Sequence, residues 1–276
     1  MMRYVSIAIL LVLPVAAASP ETPLTFTRLW THGHTTPGQV SEIPAFDAKT
    51  DTIWVAGVVG VDVLDGATGR LIEHIDVTGS GLVNSVAIHN GLAAFAVEAA
   101  PDRRTNADRS AAGSAPFSAA APLDRLRISN VDSSPGNLYA AGARSMSIRD
   151  AEGTLVFDSG STLDTEAHKR GVYDDGRSRD KGVEPEGVAL MDIAGRTYAF
   201  VSLERTTSSA VAVFDVTNPY EARFLDMIVT PGDLAPEGLA AYKFRGDVYL
   251  AIANEVQASG ATSTHTTLYR VDRTGR

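Results

Sequence analysis

Short runs of apolar or alternating residues, each closed by Gly, Asp, Asn or Pro, fill most of the chain and predict β-strands. Thr52-Ile-Trp-Val-Ala-Gly-Val58, Leu92-Ala-Ala-Phe-Ala-Val97, Thr197-Tyr-Ala-Phe-Val-Ser-Leu203 and Asp247-Val-Tyr-Leu-Ala-Ile-Ala253 are of strand length and rich in β-branched and aromatic residues. Long stretches with apolar residues every three or four positions are scarce, so the pattern predicts an all-β chain.

The runs also repeat. Pro185-Glu-Gly-Val-Ala-Leu-Met-Asp-Ile193, a turn at Ala194-Gly-Arg196 and Tyr198-Ala-Phe-Val-Ser-Leu-Glu204 form one hairpin. Pro236-Glu-Gly-Leu-Ala-Ala-Tyr-Lys-Phe244, Arg245-Gly246 and Tyr249-Leu-Ala-Ile-Ala-Asn-Glu255 form its counterpart. Looser copies start at Asn84, with the turn Asn90-Gly91, and at Ser41, with a turn near Lys49-Thr-Asp51. Asn-Gly and the other glycines suit the positive φ of a tight primed turn. Two further strands follow in the better-preserved copies, as in Val211–Val216 with Ala222–Ile228, and Val61–Asp65 with Arg70–Val77. Ser145–Asp150 with Thr154–Ser159 is a third such pair. Four antiparallel strands recurring at roughly 40 to 50 residues predict β-propeller blades, about four of them, in a shortened or incomplete ring of WD40/YVTN-like kind. The last unit stops after three strands, so Leu24-Thr-Phe-Thr-Arg-Leu-Trp30 is expected to supply its missing outer strand and close the ring.

Outside these repeats, Arg3, the apolar run Val5–Val15 and the small residues Ala16–Ala18 have the order of a secretory signal. Residues 1–18 are thus expected to be removed, leaving 19–276 as one propeller domain, exported to the periplasm or beyond, with no membrane anchor. Two stretches, 99–123 and 164–181, lack alternation and are expected as polar, solvated loops. The 276 residues contain no Cys, which excludes disulfides, thiolate metal sites and a Cys nucleophile. A net charge of -9 argues against nucleic acid as a partner.

Several segments carry a more specific resemblance. Asn84-Ser-Val-Ala87, Asp124-Arg-Leu-Arg-Ile-Ser-Asn130, Gly142-Ala-Arg-Ser-Met-Ser-Ile-Arg-Asp-Ala151, Asp180-Lys-Gly-Val-Glu-Pro-Glu-Gly-Val188, Val213-Phe-Asp-Val-Thr-Asn-Pro219 and Leu234-Ala-Pro-Glu-Gly-Leu239 resemble choice-of-anchor I domain proteins. These are exported bacterial propellers related to mesenchyme-specific cell-surface glycoproteins, and some members are fused to phosphatase-type domains. The resemblance implies a shortened member, since relatives carry more blades where this chain has residues 99–123. It also implies that a calcium loop of the relatives has lost most of its carboxylates here, at Asn130–Asn137.

The hairpins define the sharpest candidate site. Residues equidistant from a turn face one another, which puts Glu186 opposite Glu204, Glu237 opposite Asn254 and beside Glu255, and Glu98 near Asn84. Glu98, Glu186, Glu204, Glu237, Asn254 and Glu255 are expected around one mouth of the ring, where their oxygens would suit a hard cation such as calcium. The competing reading is structural, with each Glu latching the neighbouring blade by accepting its backbone N–H groups. Paired carboxylates also serve general acid/base chemistry, but repetition in several units favours structure.

Other motifs are weaker. His32-Gly-His34 lacks a third clustered ligand and is expected in a surface loop. Ser145 begins a strand, and neither a G-x-S-x-G nor a phosphate-binding Gly loop occurs. Trp30 and Trp54 are expected to pack between blades. The first expectation for function is a monomeric, non-catalytic module binding a protein, glycan or cation. A calcium-dependent phosphoesterase, disfavoured by few Lys or Arg near the glutamates, and a degenerate fragment of a longer propeller are the alternatives.

Overall fold

The computed structural model describes residues 24–89, 91–98, 144–178, 181–257 and 264–274. The stretch 99–123 and the loop Asn130–Asn137, both singled out above, lie outside them, as does the expected signal.

β1 (Leu24–Gly33) is followed by a four-stranded antiparallel meander of β2 (Ile43–Asp47), β3 (Thr52–Gly57), β4 (Gly60–Asp65) and β5 (Leu71–Asp76). β6 (Leu82–His89) and β7 (Leu92–Glu98) form a hairpin, and β8 (Ser147–Arg149) and β9 (Leu155–Asp158) a second one. A second meander consists of β10 (Pro185–Ile193), β11 (Arg196–Leu203), β12 (Ser209–Asp215) and β13 (Arg223–Thr230). β14 (Asp233–Phe244), β15 (Asp247–Gln257) and β16 (His265–Arg273) make the last sheet, and β1 pairs along β16 from Leu24↔Arg273 to Gly33↔His265. The N-terminal strand therefore completes the sheet that the C-terminal repeat leaves one strand short.

The turns follow the sequence chemistry. Ala194 and Gly195 have φ of 49° and 80°, and Arg245 and Gly246 have 51° and 96°. Two successive left-handed residues are what a primed two-residue hairpin requires, and glycine takes the second without strain.

The sheets stack face to face, with cores between them set by strand alternation. In β15, Leu250 and Ile252 pack with Tyr198, Phe200 and Val211 of the β10–β13 sheet, while Ala251 packs the other way with Ile53, Val55 and Leu64. Beyond the β2–β5 sheet, Ala56 and Val61 pack on Val83 and Val86 of β6. The first strands of the units run as neighbours in the succession β10, β14, β2, β6.

Two expectations need correction. Residues 164–181 are not a solvated loop. A short helix, α1 (Thr162–Lys169), and a 3-10 turn at Asp175–Arg177 occupy this region. Leu163, Ala167, Val172 and Val183 are buried against Val201, Leu203 and Phe214. Leu163 and Ala167 sit four residues apart on one helix face, a signal hidden by the helix having only two turns. In addition, the second unit is not one four-stranded sheet among the described residues: β6–β7 and β8–β9 are separate hairpins.

Candidate functional site

The strands β10 and β14 start alike. Glu184-Pro185-Glu186-Gly187 and Ala235-Pro236-Glu237-Gly238 each place a left-handed residue before the proline, with φ of 52° in both. Each then loses register by one residue, between Pro185 and Val188 and between Pro236 and Leu239. β6 does the same between Val83 and Ser85. A bulge re-aims side chains at the end of a strand, and here it moves the glutamates off the pairing that equidistance from the turn predicts. Leu203 lies across from Pro185, Asn254 across from Pro236, and Glu98 across from Leu82.

The glycines explain how successive units meet. A Cβ on Gly187 would lie 2.3 Å from the Glu237 carbonyl oxygen, and one on Gly238 would lie 2.3 Å from the Glu42 carbonyl oxygen. Ser202 Oγ accepts the Gly187 N–H at 2.7 Å and donates to the Glu237 carbonyl at 2.9 Å. The latch between these units is thus backbone and hydroxyl. Among the described residues, the carboxylates of Glu186, Glu204, Glu237 and Glu255 accept no backbone N–H.

These four carboxylates nevertheless gather. Oxygens of Glu204, Glu237 and Glu255 lie within 4.8 Å of one another, and so do those of Glu184, Glu186 and Glu204. Glu204 is 4% exposed, Glu237 and Glu255 are half-buried and Glu186 is exposed. Burial, then repulsion from Glu186, raises Glu204 to about 7 against the pull of Arg205. Burial, then Glu186 as both neighbouring charge and hydrogen-bond partner, raises Glu237 to about 8. Carboxyls so crowded hold protons near neutral pH.

Glu184 is the member that sequence reasoning missed, although it stands two residues before Glu186. It is also the neutralised one. Arg177 Nη2 reaches its Oε2 at 2.7 Å, Lys181 pairs with its Oε1, and Arg205 Nε lies 3.7 Å away. Burial pushes the Glu184 carboxyl up, but hydrogen bonds from Lys181 and Arg177 outweigh this and hold it below its ordinary range. The expected shortage of basic residues near the glutamates is therefore wrong on this flank, because the folded 164–181 region brings Arg177 and Lys181 over it. Glu186, Glu237 and Glu255 form no ion pair among the described residues.

The remaining predicted members differ. Asn254 is fully buried, with Nδ2 3.4 Å from Asp233 Oδ2 and Oδ1 without a partner among the described residues. It belongs to a network in which Asp233 also accepts from Thr267 Oγ1 at 2.6 Å and meets His265 Nδ1 at 2.6 Å. The side chain of Glu98 lies outside the described residues.

A second cluster was not anticipated. His32 is in β1, and His34, expected in a surface loop, is 4% exposed. His34 Nδ1 lies 2.5 Å from Asp62 Oδ2, and its Nε2 lies 2.8 Å from Thr266 Oγ1. The other Asp62 oxygen meets His74 Nδ1 at 2.6 Å. Burial pushes the Asp62 carboxyl up, but hydrogen bonds from His34 and His74 prevail and hold it below its ordinary range. Trp30 seals the neighbouring turn: its Nε1 donates to the Gly66 carbonyl at 3.1 Å, and its ring lies where a Cβ on Gly69 would be, 2.6 Å away. A regular His-x-His alternation in an edge strand was the signal that could have found this site.

Fold and sites define an all-β protein of stacked antiparallel sheets. Its resemblance is to a particular family: the choice-of-anchor I domain matches residues 100–219, of which 144–178 and 181–219 are described. This agrees with the resemblance read from the sequence. No curated protein matches the chain at a significant level. Among solved structures, the tail fiber of Staphylococcus aureus phage P68 is similar with a TM-score of 0.41 and 12% identity. That match covers 91% of this chain and 53% of the tail fiber chain, so the chain spans about half its length. No helix among the described residues is long and apolar enough to cross a membrane.

Proposed function

We propose that this chain is an exported, non-catalytic binding module of choice-of-anchor I type, built as a propeller of about four units. In this reading the signal at residues 1–18 is removed and 19–276 acts at or beyond the cell surface. Ligand is taken at the rim where the strands β10, β11, β14 and β15 present Glu186, Glu204, Glu237 and Glu255. One observation carries the assignment: carboxylates from two successive units converge within a few ångströms with too few cations beside them. A divalent ion of calcium type would replace the protons that crowding otherwise retains, since calcium takes carboxylate oxygens at about 2.3–2.6 Å in flexible geometry. A protein or glycan would then be bound through the ion. The flank closed by Arg177 and Lys181 leaves Glu186 and Glu255 as the open side.

The test is thermal unfolding of the purified chain with millimolar calcium and with chelator. Binding to the folded state should raise the melting temperature, by about 2.7 kcal/mol of stability at a hundredfold excess over Kd. Glu237→Gln should remove that rise. An identical melt in calcium and chelator would sink the cation reading. Hydrolysis of p-nitrophenyl phosphate that depends on calcium would overturn the non-catalytic one.

A further inference from the structure

We infer that His32, His34 and Asp62 form a site for a transition-metal dication of the zinc type, separate from the glutamate rim and beyond the function proposed for it. Three kinds of observation support the site.

The first is a ring nitrogen aimed at nothing. His32 Nε2 is buried and has no hydrogen-bond partner among the described residues, although a buried polar atom ordinarily finds one. A buried ring nitrogen without a partner is an atom that a metal ion could satisfy.

The second is convergence. Ligand atoms of His32, His34 and Asp62 lie within 4.8 Å of one another, and the two imidazole rings stand edge to face with centroids 5.0 Å apart. Two neutral imidazoles and one carboxylate match the donor set of zinc, with a fourth position left for water.

The third is the surrounding support. His34 and Asp62 are each held from behind by a group that a bound ion would not displace. His34 Nε2 lies 2.8 Å from Thr266 Oγ1, which in turn lies 2.8 Å from Ser41 Oγ. Donation from Nε2–H to Thr266 leaves Nδ1 of His34 free to ligate. Asp62 Oδ1 is held by His74 Nδ1, leaving Oδ2 for the ion. At zinc–ligand distances of about 2.0–2.1 Å, tetrahedral donors stand roughly 3.3 Å apart. His34 Nδ1 and Asp62 Oδ2, now 2.5 Å apart, need only open by a fraction of an ångström as the ion replaces the proton between them. The His74 side chain is 19% exposed, and an ion would enter beside it.

The experiment is titration of the full chain with cobalt(II), read by visible absorption, and with zinc, read by calorimetry. One tetrahedral cobalt site per chain is expected, displaced by zinc. His32→Gln should weaken zinc binding at least tenfold while keeping the metal-free melt close to wild type, because Nε2 makes no bond in the fold. Glu237→Gln should leave zinc binding unchanged, which separates this site from the glutamates. Absence of a tetrahedral cobalt spectrum in the wild-type chain overturns the proposal whatever the variants do. So does zinc binding that His32→Gln leaves intact.

Discussion

Two acidic clusters stand in this molecule and are built in opposite ways. Asp62 is buried between His34 and His74, and each of its oxygens has a ring nitrogen within hydrogen-bond reach. Glu204 is buried and Glu237 half-buried among other carboxylates, and among the described residues Arg205 is the one cation paired with either, at Glu204. The difference teaches that burial alone does not make a carboxylate structural. Asp62 ties the end of β1 to β4, β5 and β16, and the contact that holds the Pro-Glu-Gly repeats together runs through Ser202 and backbone carbonyls instead of the glutamate side chains.

Mutations can break this contrast. The largest effect is expected from Asp62→Ala, which leaves two imidazoles without their shared partner. A buried hydrogen-bonding group left without its partner costs about 1–3 kcal/mol, so with two rings affected chemical denaturation should show a loss of about 2–5 kcal/mol. Gly238→Ala comes next. Its Cβ would meet the Glu42 carbonyl oxygen at 2.3 Å, and a clash with backbone should cost about 1–3 kcal/mol. If the carboxylates were the latch instead, Glu186→Gln would cost as much as Gly238→Ala; it should cost almost nothing.

The pH dependence sharpens the same comparison. Glu204 at about 7 and Glu237 at about 8 keep protons in the folded chain that the unfolded chain, with carboxyls near 4.5, has already released. Folding therefore takes up protons between pH 4.5 and 8, and stability falls as pH rises through that window. With Glu237 partly exposed and Arg205 offsetting part of the repulsion on Glu204, the loss should be on the order of 1–2 kcal/mol, or about 3–6 °C of melting temperature. Melts in chelator at pH 6 and pH 9 measure it, and Glu237→Gln should flatten the difference and melt higher than wild type at pH 9. The smallest effect is expected in the edge strand β10, where Leu190 is 62% exposed and Leu190→Ser should change stability by less than about 0.5 kcal/mol.

Much of this architecture could be read from the residues. Alternation and turn chemistry placed the hairpins, and the count of three strands in the last repeat required β1 to join β16. What stayed hidden were effects of one residue or of distant chain. Equidistance from a turn cannot register a bulge, so Glu237 was set opposite Asn254 when Pro236 is its partner; Glu186 and Glu204 were paired because the turn was centred on Gly195, whereas it lies between Ala194 and Gly195. Arg177 and Lys181 read as a solvated charge run because nothing local says that Leu163 and Ala167 would dock the segment beside Glu184. His34 looked exposed because its partners Asp62 and Thr266 lie 28 and 232 residues away in sequence.

The pairing of β1 with β16 sets the order in which the molecule can form. Thr25 and Asp272, joined by a hydrogen bond, are 247 residues apart, so that sheet cannot complete until the last strand has left the ribosome. Closing so long a loop is slow but costs little more than closing one of half the length, because the entropy grows only logarithmically. Until that step, β16 presents an open edge of unpaired backbone groups. The pairing with β1 then acts as a clasp that covers this edge with a strand from the other end of the described fold.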